Sequence, residues 1–257
     1  MKKRLITAFI MLIILIPPVL IGGITFDVAI SILSVIALNE LLNFNKDLTI
    51  YNKIVPSALT VFIIISERFN IELDKAISLS MLLMFIPIIF LDKDKYDFNK
   101  ASYLFLNVML IGFPFSLIRN IRFDDINLFL YLYLIAVTSD TFAYLIGRFF
   151  GKRKLIEKVS PNKTYEGFFA GLIASMVICS MFYMYFVDPA CNLVSIIIQI
   201  AILSVFSLLG DLFFSQIKRL NNVKDYSNIF PGHGGVLDRF DSFIFVVIAY
   251  TIIMIFF

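Results

Sequence analysis

The sequence predicts an all-α, polytopic integral membrane protein of about nine transmembrane helices with a polar site near the cytoplasmic side, and three observations predict it. Hydrophobic residues make up 60% of the 257 and charged residues only 16%, where soluble domains carry about a quarter charged. Mean hydropathy is +0.92, which excludes a water-soluble globule. Apolar runs of about 16 to 22 residues recur along the whole length, close to the roughly 20 that a helix needs to cross the hydrocarbon core. Unbroken runs such as Leu5 to Ile24 also exclude a transmembrane barrel, whose segments are short and alternate in polarity. Cys179 and Cys191 form no CxxC and no paired framework, so neither a disulfide nor a cysteine-bound metal is expected.

Apolar runs separated by charge clusters define spans near 5–24, 26–44, 54–67, 76–91, 101–118, 128–147, 166–187, 193–214 and 241–257. The third and fourth are short enough to be tilted, re-entrant or interfacial, which leaves seven or eight crossings open. Pro17, Pro18, Pro56, Pro87 and Pro114 fall inside spans. They read as kinks, because neighbouring helices re-satisfy the backbone groups that a proline frees. The run after Met1-Lys2-Lys3-Arg4 is too long for a signal peptide and no small-x-small site follows it, so it is expected to stay in the mature chain.

A cytoplasmic amino terminus puts eighteen Lys and Arg residues in inside segments and four, Arg68, Lys75, Arg119 and Arg122, in outside loops. That asymmetry satisfies the positive-inside rule and places the carboxyl terminus outside. No internal repeat or soluble domain is visible. The chain reads as one membrane domain over 1–257, with 1–127 as N-terminal helices of little chemical information and 128–257 as the catalytic helices and cytoplasmic loops. The net charge of +3 is then topology information, and no nucleic-acid partner is expected.

Polar residues concentrate in Ser139 to Gly151, Ser160 to Gly167 and Gly210 to Asp241. Asp140 lies some seven residues inside the sixth span, roughly 10 Å deep. A carboxylate there is costly and has to pair with a cation or line a watery cavity. Tyr144 and Arg148 follow at i+4 and i+8 on the same helical face, so a structural Asp140–Arg148 pair is an equal alternative to a substrate-binding role. In the eighth span, Asp211, Ser215, Lys218 and Arg219 form a polar stripe leading out of the membrane. Gly210 beside them permits close backbone approach or plain helix packing. Ser160 or Thr164 is placed to cap the seventh span, where free amides with Lys163 beside them offer an anion-binding start or an ordinary cap.

The densest signal runs from Ser215 to Asp241. It holds Lys218, Arg219, Lys224 and Arg239, with Asp225, Asp238 and Asp241, the only histidine, His233, and the breaker cluster Pro231-Gly232-His233-Gly234-Gly235. Such a glycine cluster can fold into an amide-lined concavity for phosphate. Asp238 and Asp241 share one helical face at i and i+3, and with Asp211 they supply oxygen ligands for Mg²⁺ shared with substrate phosphates. Acids for metal together with cations for phosphate form the inventory of phosphoryl or nucleotidyl transfer. A lone histidine in a glycine turn is more often a loop residue than a catalyst.

These residues carry a resemblance. The stretch is similar, position by position, to the signature of the phosphatidate cytidylyltransferases, S-x-hydrophobic-K-R-x4-K-D-x-small-x2-hydrophobic-P-x-H-G-G-hydrophobic-x-D-R-x-D. Ser215, Ile217, Lys218, Arg219, Lys224, Asp225, Ser227, Phe230, Pro231, His233, Gly234, Gly235, Val236, Asp238, Arg239 and Asp241 all fit it. The segments DTFAYLIGRFFGK and SPNKTYEG resemble the same family, with Asn162 standing where a second lysine is frequent. The likeness covers the chain from about Ser139 onward, and Glu40 is the single candidate for lining the site that the first five spans offer.

The resemblance implies a multi-pass enzyme of the inner, cytoplasmic membrane, dimeric and Mg²⁺-dependent, with a second cation left open. Its reaction would be attack of a phosphatidic acid phosphate oxygen on the α-phosphorus of CTP, giving CDP-diacylglycerol and pyrophosphate among membrane lipids. It implies catalytic roles for Lys218, Arg219, Lys224, Asp225, His233, Arg239 and Asp241, and metal ligation by Asp211, Asp238 and Asp241. Asp140, Tyr144, Lys163, Thr164, Glu166, Ser215, Gly234 and Gly235 would bind substrate. Two rivals stand beside it: a CTP-dependent transferase acting on an ether lipid or a polyprenol, and a transporter, which intramembrane Asp140 and Asp211 would also suit.

Overall fold

The computed structural model describes residues 13–92, 96–230, 232 and 234–255, without the side chain of Tyr51. Helix covers residues 13–21 (α1), followed by α2 (Gly23–Leu42), α3 (Tyr51–Ile65), a 3₁₀ turn (Ser66–Phe69), α4 (Leu73–Phe85), α5 (Pro87–Phe90) and α6 (Phe98–Asp124). Then come α7 (Ile126–Phe150), β1 (Lys154–Ile156), β2 (Ser160–Thr164), α8 (Tyr165–Phe186), α9 (Leu193–Leu220) and α10 (Leu237–Ile253). The predicted all-α class holds, with one small antiparallel hairpin that hydropathy did not reveal, pairing Lys154 with Thr164 and Ile156 with Ser160.

Six helices among the described residues are long and apolar enough to cross a membrane: Gly23–Leu42, Leu73–Phe90, Phe98–Asp124, Ile126–Phe150, Tyr165–Phe186 and Leu193–Leu220. The expected nine are not all of full length. The α3 helix has 15 residues and α10 has 17, short of the roughly 20 of an untilted crossing. The start of the first expected span lies outside the described residues. Pro56 and Pro114 sit inside α3 and α6 without ending them, as expected, whereas Pro87 opens α5 directly after α4. Exposed side chains confirm a lipid-facing surface: Phe169, Ile173, Val177 and Met181 repeat every fourth residue of α8 and are each more than half exposed, a stripe suited to acyl chains and unfavourable in water. The protein is a multi-pass membrane protein.

The chain forms two compact units, one of Met1–Phe123 with Tyr226–Val236 and one of Asp124–Asp225 with Leu237–Phe257. In the first, α2 packs on α3 and α3 on α4, and the Tyr103 hydroxyl on α6 donates to the Leu41 carbonyl near the end of α2. At the other end of α2, the buried Asp27 accepts from Arg68 at 2.5 Å and from Arg119 at 2.9 Å. Arg122 donates to the Val19 and Leu20 carbonyls, satisfying groups that the end of α1 leaves open. Three of the four cations expected in outer loops are therefore tied into helix ends. Because α6 continues to Asp124 instead of stopping near 118, Arg119 and Arg122 are helical.

In the second unit, α7 runs along α8 and α9 along α10, with α8 and α9 also in contact and α7 touching α9 and α10. Small residues set the α7–α8 distance. Gly167 lies against the Ala143 carbonyl and within about van der Waals reach of the Gly147 backbone, and Gly171 lies against the Ser139 carbonyl, an arrangement that favours close helix packing in a bilayer.

Arg119 is 5% exposed, so Asp27→Ala leaves a buried guanidinium without its carboxylate. We expect a stability loss of about 3–5 kcal/mol, measured by thermal unfolding in detergent. Lys75→Ala, which loses only the exposed pair with Glu72, is expected to lie within about 0.5 kcal/mol of the parent.

Candidate active site

Polar groups of the second unit meet in one cavity of about 370 Å³. Its walls come from Asp140, Ala143 and Tyr144 of α7, from Ser160 to Thr164 of β2 (Pro161 apart), and from Phe168 of α8. Leu208, Asp211 and Lys218 of α9, Asp225 in the following loop, and Asp238, Arg239 and Asp241 of α10 complete them. The size falls within the ordinary range for small-molecule pockets. Of the residues singled out from the sequence, Asp140, Tyr144, Lys163, Thr164, Asp211, Lys218, Asp225, Asp238, Arg239 and Asp241 all line it.

Helix ends explain the charges. Lys218 and Arg219 occupy the last turn of α9 and Asp238 the first turn of α10, so each sign sits where the helix dipole favours it. Where the two ends meet, the Lys218 ammonium lies 2.6 Å from Asp238, with both side chains under a tenth exposed. Gly210 permits that approach. A Cβ at this position would lie 2.6 Å from the Asp241 carbonyl oxygen and 2.9 Å from the Phe245 Cβ. Both readings of this glycine meet here, since the group that approaches it closely is the backbone of the packed helix α10.

Lys163 reaches inward from β2 to pair with Asp211 at 2.6 Å, and the Ser215 hydroxyl donates to the other Asp211 oxygen at 3.0 Å. Asp140 accepts from the Ser242 hydroxyl at 2.6 Å. Its expected alternative partner, Arg148, donates instead to the Tyr144 hydroxyl at 3.2 Å. The Asp140–Arg148 pair is therefore absent, because the arginine at i+8 points outward while the carboxylate faces α10. Asp241, 8% exposed, accepts from the Ser242 amide and feels the negative charges of Asp211 and Asp140.

Several other sequence candidates form the frame. Thr164 caps α8, its hydroxyl accepting from the Gly167 amide at 3.1 Å. Glu166 accepts from the Lys152 and Arg153 amides, closing the base of the hairpin that carries Lys163. Arg219 donates to the Val159 and Val223 carbonyls, bracing the hairpin tip and the loop after α9. Lys224 is exposed. Gly234 and Gly235 belong to the first unit, where the Val236 amide donates to Glu40 at 2.9 Å. His233 lies outside the described residues. Sequence reasoning missed Ser242, whose only signal is its place beside Asp241, and the hairpin, which is too short and polar for hydropathy to register.

For a hard cation the donor chemistry fits: five carboxyl groups and three cationic side chains line the cavity, all metal donors are oxygens, and Mg²⁺ takes oxygen ligands. Of the three carboxylates expected to share the ion, all of which line the cavity, Asp211 is paired with Lys163 and Asp238 with Lys218. Among the described residues no three acidic, histidine or cysteine groups lie close enough to form a complete cage. Mg²⁺ commonly takes one or two protein carboxylates and completes its shell from phosphate and water.

The sequence pattern of the cytidylyltransferase family matches residues 2–257. A phosphatidate cytidylyltransferase of Staphylococcus haemolyticus is 40% identical over 261 residues, covering 99% of each chain. Proteins of the same name from Staphylococcus aureus and Staphylococcus saprophyticus are 38% identical with the same coverage. The likeness thus extends through the first half, beyond the signature that the sequence alone displayed, and the chain belongs to the cytidylyltransferase family.

Proposed function

We propose that the protein is a CTP:phosphatidate cytidylyltransferase whose chemistry takes place in the cavity of the second unit. The observation that carries this reading is the lining itself: Lys163, Lys218 and Arg239 beside Asp211, Asp238 and Asp241, in a chain whose relatives at about 40% identity bear that name. A phosphate oxygen of phosphatidate attacks the CTP α-phosphorus and pyrophosphate leaves. The nucleophile belongs to the lipid, so no covalent enzyme intermediate is needed.

Arg239 offers a planar fork for two phosphate oxygens, while Lys163 and Lys218 act as point charges. In forming those contacts the lysines exchange a carboxylate partner for a phosphate, which keeps each ammonium paired. Asp211 and Asp241 would hold Mg²⁺, with Asp140 and Asp238 as further oxygen donors nearby; when bound, the ion supplies charge neutralisation for the triphosphate in the in-line transition state. Ser215 and Ser242 orient the Asp211 and Asp140 carboxylates, and Thr164 and Glu166 hold the hairpin that presents Lys163.

The Lys and Arg asymmetry supports an amino terminus and a cavity facing the cytoplasm, where CTP is found, with phosphatidate entering from the bilayer. A homodimer is part of the same proposal and is read from the mass of the detergent-solubilised particle.

The test is transfer of cytosine-labelled CTP into a chloroform-soluble product by purified protein. Label is expected in the lipid phase only when phosphatidate and Mg²⁺ are both present. Transfer to a diether or polyprenyl phosphate in preference to phosphatidate would move the assignment to that acceptor, and no transfer by folded protein to any of them would refute it. Asp241→Asn is expected to abolish turnover with membrane insertion intact, and retained activity would remove Asp241 from the metal site. Arg239→Lys keeps the charge and loses the fork, so a rate loss of about tenfold or more marks geometric phosphate recognition, whereas parental rates would mark charge alone.

A further inference from the structure

Glu40 occupies a position where two physical effects oppose it. At 2% exposure it has lost its hydration. It also lies in the last turn of α2, which holds no basic residue and where the helix dipole disfavours an acid. What faces it is the glycine loop of the same unit. One oxygen, Oε1, accepts from the Ser227 hydroxyl at 2.5 Å and from the Val236 amide at 2.9 Å. Gly235 presses so closely on the carboxylate that a Cβ there would overlap its oxygens.

The loop is shaped to receive that carboxylate. The Phe230 amide donates to the Gly234 carbonyl at 3.0 Å, and Gly232 and Gly234 stand at φ +79° and +83°, the left-handed region that favours glycine. Tyr226, at its start, is 7% exposed and lies 5.5 Å ring to ring from Phe44. Three points of one segment, Ser227, Gly235 and Val236, thus converge on a single side chain 187 or more residues earlier in the chain. The segment runs directly into cavity-lining residues at both ends, with Asp225 immediately before Tyr226 and Asp238 two residues after Val236.

Resting on the transfer reaction above, we propose that Glu40 is a positioning residue for it: one carboxylate oxygen ties Ser227 to Val236 at the two ends of the loop and so, through the covalent chain, sets the separation of Asp225 and Asp238, which the loop connects. Glu40 is not among the residues that line the cavity. Charge matters because bonds to an ionised acceptor are about twice as strong as neutral ones. Glycine at 235 is required by the clamp, since any side chain there displaces the acid.

The test compares Glu40→Ala, Glu40→Gln, Ser227→Ala, Gly235→Ala and the Glu40→Gln/Ser227→Ala double variant. Each is assayed for kcat and KM for CTP, for backbone hydrogen exchange across 226–236, and for thermal unfolding in detergent. Glu40→Gln, which keeps shape and an acceptor, is expected to lower kcat about tenfold with KM within about threefold and unfolding unchanged, while exchange in the loop accelerates. Glu40→Ala and Gly235→Ala are expected to lose more, and the double variant no more than Glu40→Gln alone, because both single changes break one linkage. Parental kcat and parental loop exchange in Glu40→Gln overturn the proposal. So does a loss matched by lower unfolding temperature and faster exchange throughout both units, which marks a merely structural residue. If the parent protein transfers no label, the functional reading fails, and the clamp is decided by the exchange measurement alone, which needs no activity.

Discussion

The contact on which the site depends is the 2.6 Å ion pair between Lys218 and Asp238, where the end of α9 meets the start of α10. In an apolar bundle an isolated charge costs several kcal/mol, so cations and acids are tolerated there only together. Helix dipoles favour the basic group at one terminus and the acidic group at the other. The absence of a side chain at Gly210 lets the two helices close to that distance. The same logic places Lys163 on Asp211 and Ser242 on Asp140. With two of the cavity's lysines already paired to carboxylates, an incoming triphosphate and its metal exchange partners with those pairs instead of creating new buried charge.

Much of this was legible in the sequence. The spans follow from runs of Ile, Leu, Val and Phe, and the second to ninth fall on α2, α3, α4 with α5, α6, α7, α8, α9 and α10, because the bilayer imposes a length on apolar helices. Ten of the residues chosen for chemistry line one cavity, since acids and cations inside apolar spans have few permitted places. Hydropathy failed where polarity and helicity coexist. Ser215 to Leu220 remain helical in α9, and Asp238 and Arg239 already belong to α10, because paired charges sustain a helix past the edge of the apolar run. The hairpin escaped for the opposite reason, as its order comes from Glu166 and Arg219 binding backbone groups, which no periodicity reports. The partners of the acids were also unreadable: i, i+3 spacing puts Asp238 and Asp241 on one face of α10, and nothing in it reports that Asp238 pairs with Lys218.

The first unit looked chemically silent, and its two buried acids show otherwise. Asp27 ties Arg68 and Arg119 into one end of α2, which is a matter of stability. Glu40, at the other end of the same helix, holds the glycine loop. A single acid in a hydrophobic span carries no sign of which segment it will meet nearly two hundred residues later. The signature glycines suggested a phosphate cradle, and nothing in them reported that Gly235 lies against Glu40.

The cavity between α7, β2, α9 and α10 is expected to seat the CTP triphosphate with its cation. An experimental structure of the protein with CTP and Mg²⁺ tests it most directly. The account predicts phosphate density against Lys163, Lys218 and Arg239 and a metal on Asp211 and Asp241, with the Lys163–Asp211 pair opened. Nucleotide bound elsewhere, or a metal with no contact to Asp211 or Asp241, would contradict it.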